Sequence, residues 1–265
     1  MQDFTTLTQA LKISSLNDIL EQVMSQVKTH PQDLNEREIL FKLYCIEGSW
    51  EKALLQLQTL SLMGDKRSKQ TELYKNLVFS EIQRQQVLTG DRQASTLQGD
   101  MPTWMNKLHK ANVEHYEGLI DQAALSRYEA FDLALETAGK SDELGAFSWI
   151  ADSDCRLGPV FEFICAGGYR WLPYSSIKKL NVPKPENILD LLWLPATIEV
   201  GEETYYGYTP VRYPLFGTVT QEVKLGLTTE WQQLSDAFSI GLGRKVLVTD
   251  QTEQSIMEVG DIVFE

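Results

Sequence analysis

Asp152 and Asp154 stand two residues apart in Asp152-Ser-Asp-Cys-Arg156, the way carboxylates open a calcium-binding loop. Such a loop needs oxygen ligands at alternating positions, a central glycine and a closing glutamate. The next alternate position is Arg156, so the cation site fails. The segment reads instead as a turn held by an Asp–Arg ion pair, because the guanidinium fork suits a carboxylate, and Leu157-Gly-Pro159 continues the same turn. Gly241-Leu-Gly243 hints at phosphate binding, but the dinucleotide fingerprint needs a third glycine at position 246, which is valine. It reads as a glycine turn feeding a strand over 245–249. His109 and His115 are six apart on a predicted helix, about 120° from each other around its axis, which makes a poor metal pair. His30 precedes Pro31 at a helix end and reads as exposed. No Ser–His–Asp or Cys–His constellation assembles, and nothing selects an acid–base pair among the carboxylates. The expectation is no catalytic residue, no metal and no cofactor. Arg212, fixed between prolines in Pro210-Val-Arg-Tyr-Pro214, either anchors an acidic partner or, more simply, pairs internally with Asp152 or Asp154.

Bulk properties narrow the partners. The 265 residues carry a net charge of -13, which repels phosphate backbones and anionic membrane surfaces and argues against both as partners. Residues 1–140 hold 15 Lys and Arg against 19 Asp and Glu, and residues 141–265 hold 9 against 18, so the second part is the more acidic. Three cysteines without a Cys-x-x-Cys spacing give neither a disulfide framework nor a zinc site. The opening Met-Gln-Asp-Phe-Thr-Thr has no basic region before an apolar run, and no apolar run spans a bilayer, so a cytoplasmic protein is expected.

The elements that position these residues fall into two parts. Over 36–47, Ile39, Leu40, Leu43 and Tyr44 share a helical face; Gly48-Ser49 breaks it; Ala53, Leu54, Leu57 and Leu60 stripe a second helix that Gly64-Asp65 ends. Gly118 and Ala123 repeat the spacing of Gly48 and Ala53, 70 positions on, close to twice a tetratricopeptide period of about 34 residues. A weaker copy begins at Ser14, with Ile19 in the alanine position and Pro31 closing it. A long polar helix over 68–88 lies between the copies. Ile120, Ala124, Tyr128, Phe131 and Leu135 form the expected buried stripe of the last helix. Residues 1–140 therefore read as a tetratricopeptide-like helical-repeat domain, whose groove suits a peptide or helix, with Trp104 and Trp50 as candidate lining, although core packing is the better reading for Trp50 at the hairpin corner.

Beyond residue 140 the helical period fades, and Trp149, Trp171, Trp193 and Trp231 appear among glycines and prolines. Strands are expected over 147–151, 169–173, 191–200, 204–211 and 244–249, a helical turn over 160–166 and a short helix over 228–240. Gly207 marks a bulge or a close contact. The fold class is α+β, with 141–265 a smaller β-rich domain on a curved or barrel-like sheet.

The blocks Phe147-Ser-Trp-Ile-Ala-Asp-Ser-Asp-Cys-Arg-Leu-Gly-Pro-Val-Phe-Glu162, Gly168-Tyr-Arg-Trp-Leu-Pro-Tyr174, Asp190-Leu-Leu-Trp-Leu-Pro-Ala196 and Thr209-Pro-Val-Arg-Tyr-Pro214 occur in that order, followed by Thr229-Glu-Trp231 and Gly241-Leu-Gly-Arg244. In order and spacing they resemble the ImpE/TagJ (SciE type) family of type VI secretion accessory proteins. The resemblance implies a non-enzymatic cytoplasmic adaptor. It would bind the amino-terminal helix of the small sheath subunit (TssB/VipA type) and modulate sheath handling by the ClpV-type ATPase, which it would meet indirectly. Trp104, Trp149, Asp152, Asp154, Arg156 and Arg212 are the candidate partner-binding or motif residues. The alternative is an enzyme with an unrecognised site in 141–265.

Overall fold

The computed structural model describes residues 7, 9–11, 13–64 and 68–265; Met1 to Thr6, where no signal peptide was expected, and Asp65 lie outside the described residues. Helix α1 (Leu16–Thr29) is capped by Ser15, whose side chain accepts from the Asp18 amide. Helices α2 (Leu34–Glu47) and α3 (Trp50–Leu62) form the first hairpin. Helix α4 (Ser68–Leu88) follows, and α5 (Thr103–Tyr116) and α6 (Ile120–Leu133) form the second hairpin.

The two hairpins turn the same corner. Gly48 has φ +74° and Gly118 φ +80°, the left-handed conformation glycine adopts without strain. The amide after each glycine donates five residues back, Ser49 to Tyr44 and Leu119 to Glu114, both at 2.8 Å. Ala53 and Ala123 are buried on the inner faces. The repeat spacing in the sequence is thus a repeated backbone hydrogen-bond pattern.

Strands occupy the rest: β1 (Gly139–Ser141), β2 (Gly145–Phe147), β3 (Ile150–Asp152), β4 (Val160–Cys165), β5 (Gly168–Pro173), β6 (Lys179–Asn181), β7 (Trp193–Val200), β8 (Glu203–Pro210), β9 (Arg212–Tyr213), β10 (Thr229–Ser235), β11 (Phe238–Arg244), β12 (Val246–Thr249), β13 (Glu253–Ser255) and β14 (Asp261–Phe264), with a short helix α7 (Gln221–Lys224) before β10. Eight of them form one sheet in the order β2-β1-β14-β6-β7-β8-β4-β5, antiparallel throughout. Two small sheets, β10-β11-β9 and β13-β12-β3, accompany it. The large sheet has two ends, so it is open rather than a closed barrel. Helix α4 packs against its β5 edge, and Ser95 bridges to Arg170 there, which covers otherwise unpaired backbone.

Five sequence expectations are corrected. Residues 160–165 are strand β4, not a helical turn. Val160 and Ile164 face a core shared with the helices, Phe161 and Phe163 face the opposite core, and a run buried on both faces hides its alternation. Residues 229–244 are the hairpin β10–β11, not a helix, turning at Asp236-Ala237; Gly241 and Gly243 lie inside β11 rather than in a turn. A Cβ at Gly241 would strike the Tyr213 ring, so the glycine lets β11 press onto that tyrosine. The expected strand over 147–151 is split between β2 and β3, which belong to different sheets. On α6 the buried face carries Ala123, Ser126 and Ala130, small residues that let α5 approach, together with the buried Arg127, whereas Ile120, Tyr128 and Leu135 are exposed. Gly207 is a close approach without a register shift: a Cβ there would collide with the Ile164 carbonyl and the Phe163 ring.

The largest core runs across both parts. Phe41, Ile46, Trp50 and Leu77 from the helices share it with Val160, Trp171, Trp193 and Tyr213 from the strands, and Trp50 and Trp193 lie 5.7 Å apart, centroid to centroid.

Candidate partner-binding site

The Asp152–Arg156 turn is a junction. Arg156 donates from Nε to Asp154 Oδ1 at 2.9 Å and from Nη2 to Oδ2 at 2.5 Å, the expected ion pair. The same carboxylate accepts from the Arg156 amide and from the Gly241 amide, which ties the turn to β11. The Arg156 carbonyl accepts from Asn112 of α5, and Asn112 accepts from Arg127 of α6. One short turn therefore fixes the second helical hairpin against the β10–β11 hairpin.

Asp152 faces the other way, into a sealed ionic network. Tyr213 donates its hydroxyl to Asp152 Oδ1 at 2.6 Å, and Lys245 Nζ lies 2.5 Å from Oδ2. Lys245 also binds Glu162, which Arg84 of α4 grips with a two-pronged fork, Nε to Oε1 at 2.7 Å and Nη2 to Oε2 at 2.8 Å. Tyr169 donates to Glu162 as well. Glu81, one turn before Arg84, accepts from Trp193 Nε1 at 2.8 Å. All these side chains are buried. Burial favours the neutral acid at Glu162, but Arg84 and Lys245 outweigh it and hold the carboxyl well below the usual range. At Asp152 burial prevails over Lys245, with Asp154 and Glu162 adding to it, and the carboxyl is raised to about 6. Arg84, Glu162 and Lys245 link helix to strands across the middle of the molecule and are shut off from solvent. Sequence reasoning passed over them. The available signal was Glu162 alone in the apolar run Val160-Phe-Glu-Phe-Ile164, since a carboxylate in such a strand requires a buried cation.

Arg212 pairs with neither Asp152 nor Asp154. Its guanidinium caps helix ends: Nη1 donates to the Ile46 carbonyl at 2.6 Å and to the Lys224 carbonyl, and Nη2 to Cys45 at 3.2 Å. Among the described residues the carbonyls of Ile46 and Lys224 are left without a backbone donor at the ends of α2 and α7, where the helix dipole also favours a cation, while the Cys45 carbonyl is shared with the Gly48 amide. Burial, partly countered by Glu81, lowers its pKa to about 10. Lys224 reaches Glu47 at 2.7 Å, and the Gln221 side chain accepts from the Leu16 amide, so α7 fastens the start of the helical part.

Beside the junction lies a cavity of about 450 Å³ between the ends of α4 and α5 and the β9–β11 region, lined among others by Leu88, Tyr116, Arg156, Phe216, Gln232 and Ile240. An exposed apolar surface adjoins it. Tyr116, Leu119 and Ile120 follow one another at the α5–α6 corner, 47%, 41% and 39% exposed, and Tyr128, 54% exposed, packs its ring 4.7 Å from Phe238. Trp231, on the neighbouring hairpin, is half-exposed and packs on Tyr213. Trp104 is buried in the first turn of α5, Trp50 is buried, and Trp149 is half-buried between β2 and β3. The structure thus brings Arg156 to the cavity, buries Asp154 behind it as its ion-pair partner, sends Asp152 to the sealed network, and leaves Trp104, Trp149 and Arg212 elsewhere. Among the described residues no group of His, Cys, Asp and Glu is spaced to hold a metal, and no helix is long and apolar enough to cross a membrane.

Three comparisons bear on this arrangement. Residues 145–263 match the model of the ImpE protein family. The chain is 30% identical over 262 residues to the type VI secretion system accessory component TagJ of Pseudomonas aeruginosa, covering 97% of this chain and 90% of that protein. An X-ray structure of a Vibrio parahaemolyticus protein superposes with a TM-score of 0.89 at 23% identity, covering 97% of each chain, and so shares the α+β fold.

Proposed function

The chain belongs to the ImpE/TagJ family of type VI secretion accessory components, and from that premise we propose that it is a non-enzymatic adaptor that binds the amino-terminal helix of the small sheath subunit (TssB/VipA type). By holding that helix it modulates how the contractile sheath is handled and taken apart by the ClpV-type ATPase. The protein acts in the cytoplasm, and its two parts, 1–140 and 141–265, act as one body.

The observation that carries this reading is the apolar surface at the α5–α6 corner, running into the cavity beside Arg156. Tyr116 belongs to both. A partner helix presents apolar side chains at i, i+3, i+4 and i+7, and such a stripe needs a concave apolar seat with aromatic walls. Tyr116, Ile120 and Tyr128 supply aromatic and aliphatic area outside the core, where it is free to be covered. The buried charge network supports the non-enzymatic reading, because its acids and bases are sealed from any substrate.

The test is isothermal titration of the full chain with a synthetic peptide of the sheath subunit's amino-terminal helix from the same genome. Saturable one-to-one binding at roughly micromolar affinity or tighter is expected. A folded protein that shows no heat with a helical peptide would refute the adaptor reading.

A further inference from the structure

The cavity has an apolar wall and a charged one. Leu88, Phe216 and Ile240 form the first, and Arg156 forms the second. Asp154 takes Nε and Nη2 of Arg156, and Nη2 also leans on the Gly241 carbonyl. Among the described residues nothing accepts from Nη1, and Nη1 is not one of the sealed unpartnered atoms, so this edge of the guanidinium opens on the cavity. Phe216 lies under the cation, 5.8 Å from ring centroid to guanidinium carbon.

A second buried cation stands behind it. Arg127 is 1% exposed, donates to Asn112 Oδ1 at 3.0 Å, and lies 5.3 Å from the centroid of the Phe238 ring. Its Nε is buried without an acceptor, and among the described residues no carboxylate pairs with it. Asn112 links the two arginines, donating to the Arg156 carbonyl. Two buried guanidinium groups thus have one carboxylate, Asp154, between them. In a chain of net charge -13 this is a local positive excess, placed where burial makes charge interactions strong. His115, which also lines the cavity, adds no positive charge near neutral pH, since burial and then the two arginines lower its pKa.

We propose that this cavity receives an acidic side chain of the partner, Asp or Glu, next to a bulky apolar residue: the carboxylate takes the Nη1 edge of Arg156 and the apolar group rests on Phe216 and Ile240. The volume suits two such side chains rather than a whole helix. The inference rests on the adaptor reading and specifies what the partner helix presents. A carboxylate arriving here meets a desolvated, prepositioned cation, the arrangement in which an interfacial charge pair strengthens binding.

Two measurements test it. In the first, each Asp and Glu of the sheath peptide is replaced singly by Asn or Gln and titrated into the full chain. One replacement weakens binding by roughly tenfold or more, and the others by less than about twofold. Binding by the unmodified peptide with no replacement exceeding about twofold overturns the inference and leaves the adaptor reading standing. In the second, 4-phenylbutyrate and its uncharged amide, 4-phenylbutyramide, are titrated into the full chain and followed by NMR. The acid shifts the resonances of Phe216 and Gly241 and saturates, whereas the amide binds roughly tenfold more weakly or not at all. Equal binding of acid and amide, or none by either, overturns the inference even if the peptide itself fails to bind.

Discussion

Two seams join the helical and the stranded parts, and they are built from opposite materials. The inner seam is charged and closed: Arg84, Glu162, Lys245 and Asp152 satisfy one another among Trp171, Trp193 and Tyr213. The outer seam is largely apolar and open: Tyr116 and Phe216 line a cavity with one arginine at its edge, and Ile120 and Tyr128 are exposed beside it. A closed charge network ties the parts in a single arrangement, because each ion left alone would be costly. An open apolar seam is the reverse, area still available to a partner. Folding should therefore depend on the first and binding on the second.

The largest effect is expected at Glu162. Its replacement by alanine leaves Arg84 and Lys245 buried without their shared acceptor and should cost roughly 3–5 kcal/mol, read as a fall in denaturation midpoint. Arg212→Met strands the carbonyls of Ile46 and Lys224 and should cost about 2–4 kcal/mol in the same assay. A loss below about 1 kcal/mol at Glu162 would show that the inner seam does not hold the parts together, and the same result at Arg212 that its helix-end contacts do not.

A smaller effect sharpens the comparison through pH. Asp152 titrates at about 6 in the folded chain, against about 3.9 when unfolded. Between these values the folded state holds a proton that the unfolded state has released, so this group lowers stability as pH rises from 4.5 to 7, by about 2 kcal/mol. Glu162 has the opposite sign: its depressed carboxyl adds stability above the unfolded value of about 4.3, and this is lost as pH falls below it. The two windows separate, and Asp152→Asn should flatten the slope between pH 4.5 and 7. An unchanged slope in denaturation curves across that range would mean that another group carries it.

The two seams were not equally legible in the sequence. The hairpin corners were visible because Gly48 and Gly118 occupy a backbone conformation that glycine tolerates, and spacing alone locates them. The Asp154–Arg156 pair was visible because both partners lie in one turn. The inner seam joins residues 78 and 83 positions apart, and no local period announces such pairs. Arg212 was assigned a carboxylate because arginine usually takes one, whereas here helix ends from distant parts of the chain supply carbonyls. The outer seam was hidden for another reason. Ile120 and Tyr128 read as core at helical spacing, and only the packing of Ala123 and Ala130 against α5 turned that stripe outward. Strand β10 escaped because its turn carries neither glycine nor asparagine, and pairing with β11 overrode the helical reading.

The smallest effect on stability should come with the largest effect on binding, and this contrast is the most direct test. Ile120→Ser and Tyr128→Ser, combined in one chain, remove half-exposed apolar area and the Tyr128–Phe238 ring contact and should cost only about 1–2 kcal/mol of stability. Titrated with the sheath-subunit helix peptide, the same chain should bind roughly tenfold more weakly or worse. Unaltered affinity in this folded variant would contradict the assignment of binding to the outer seam.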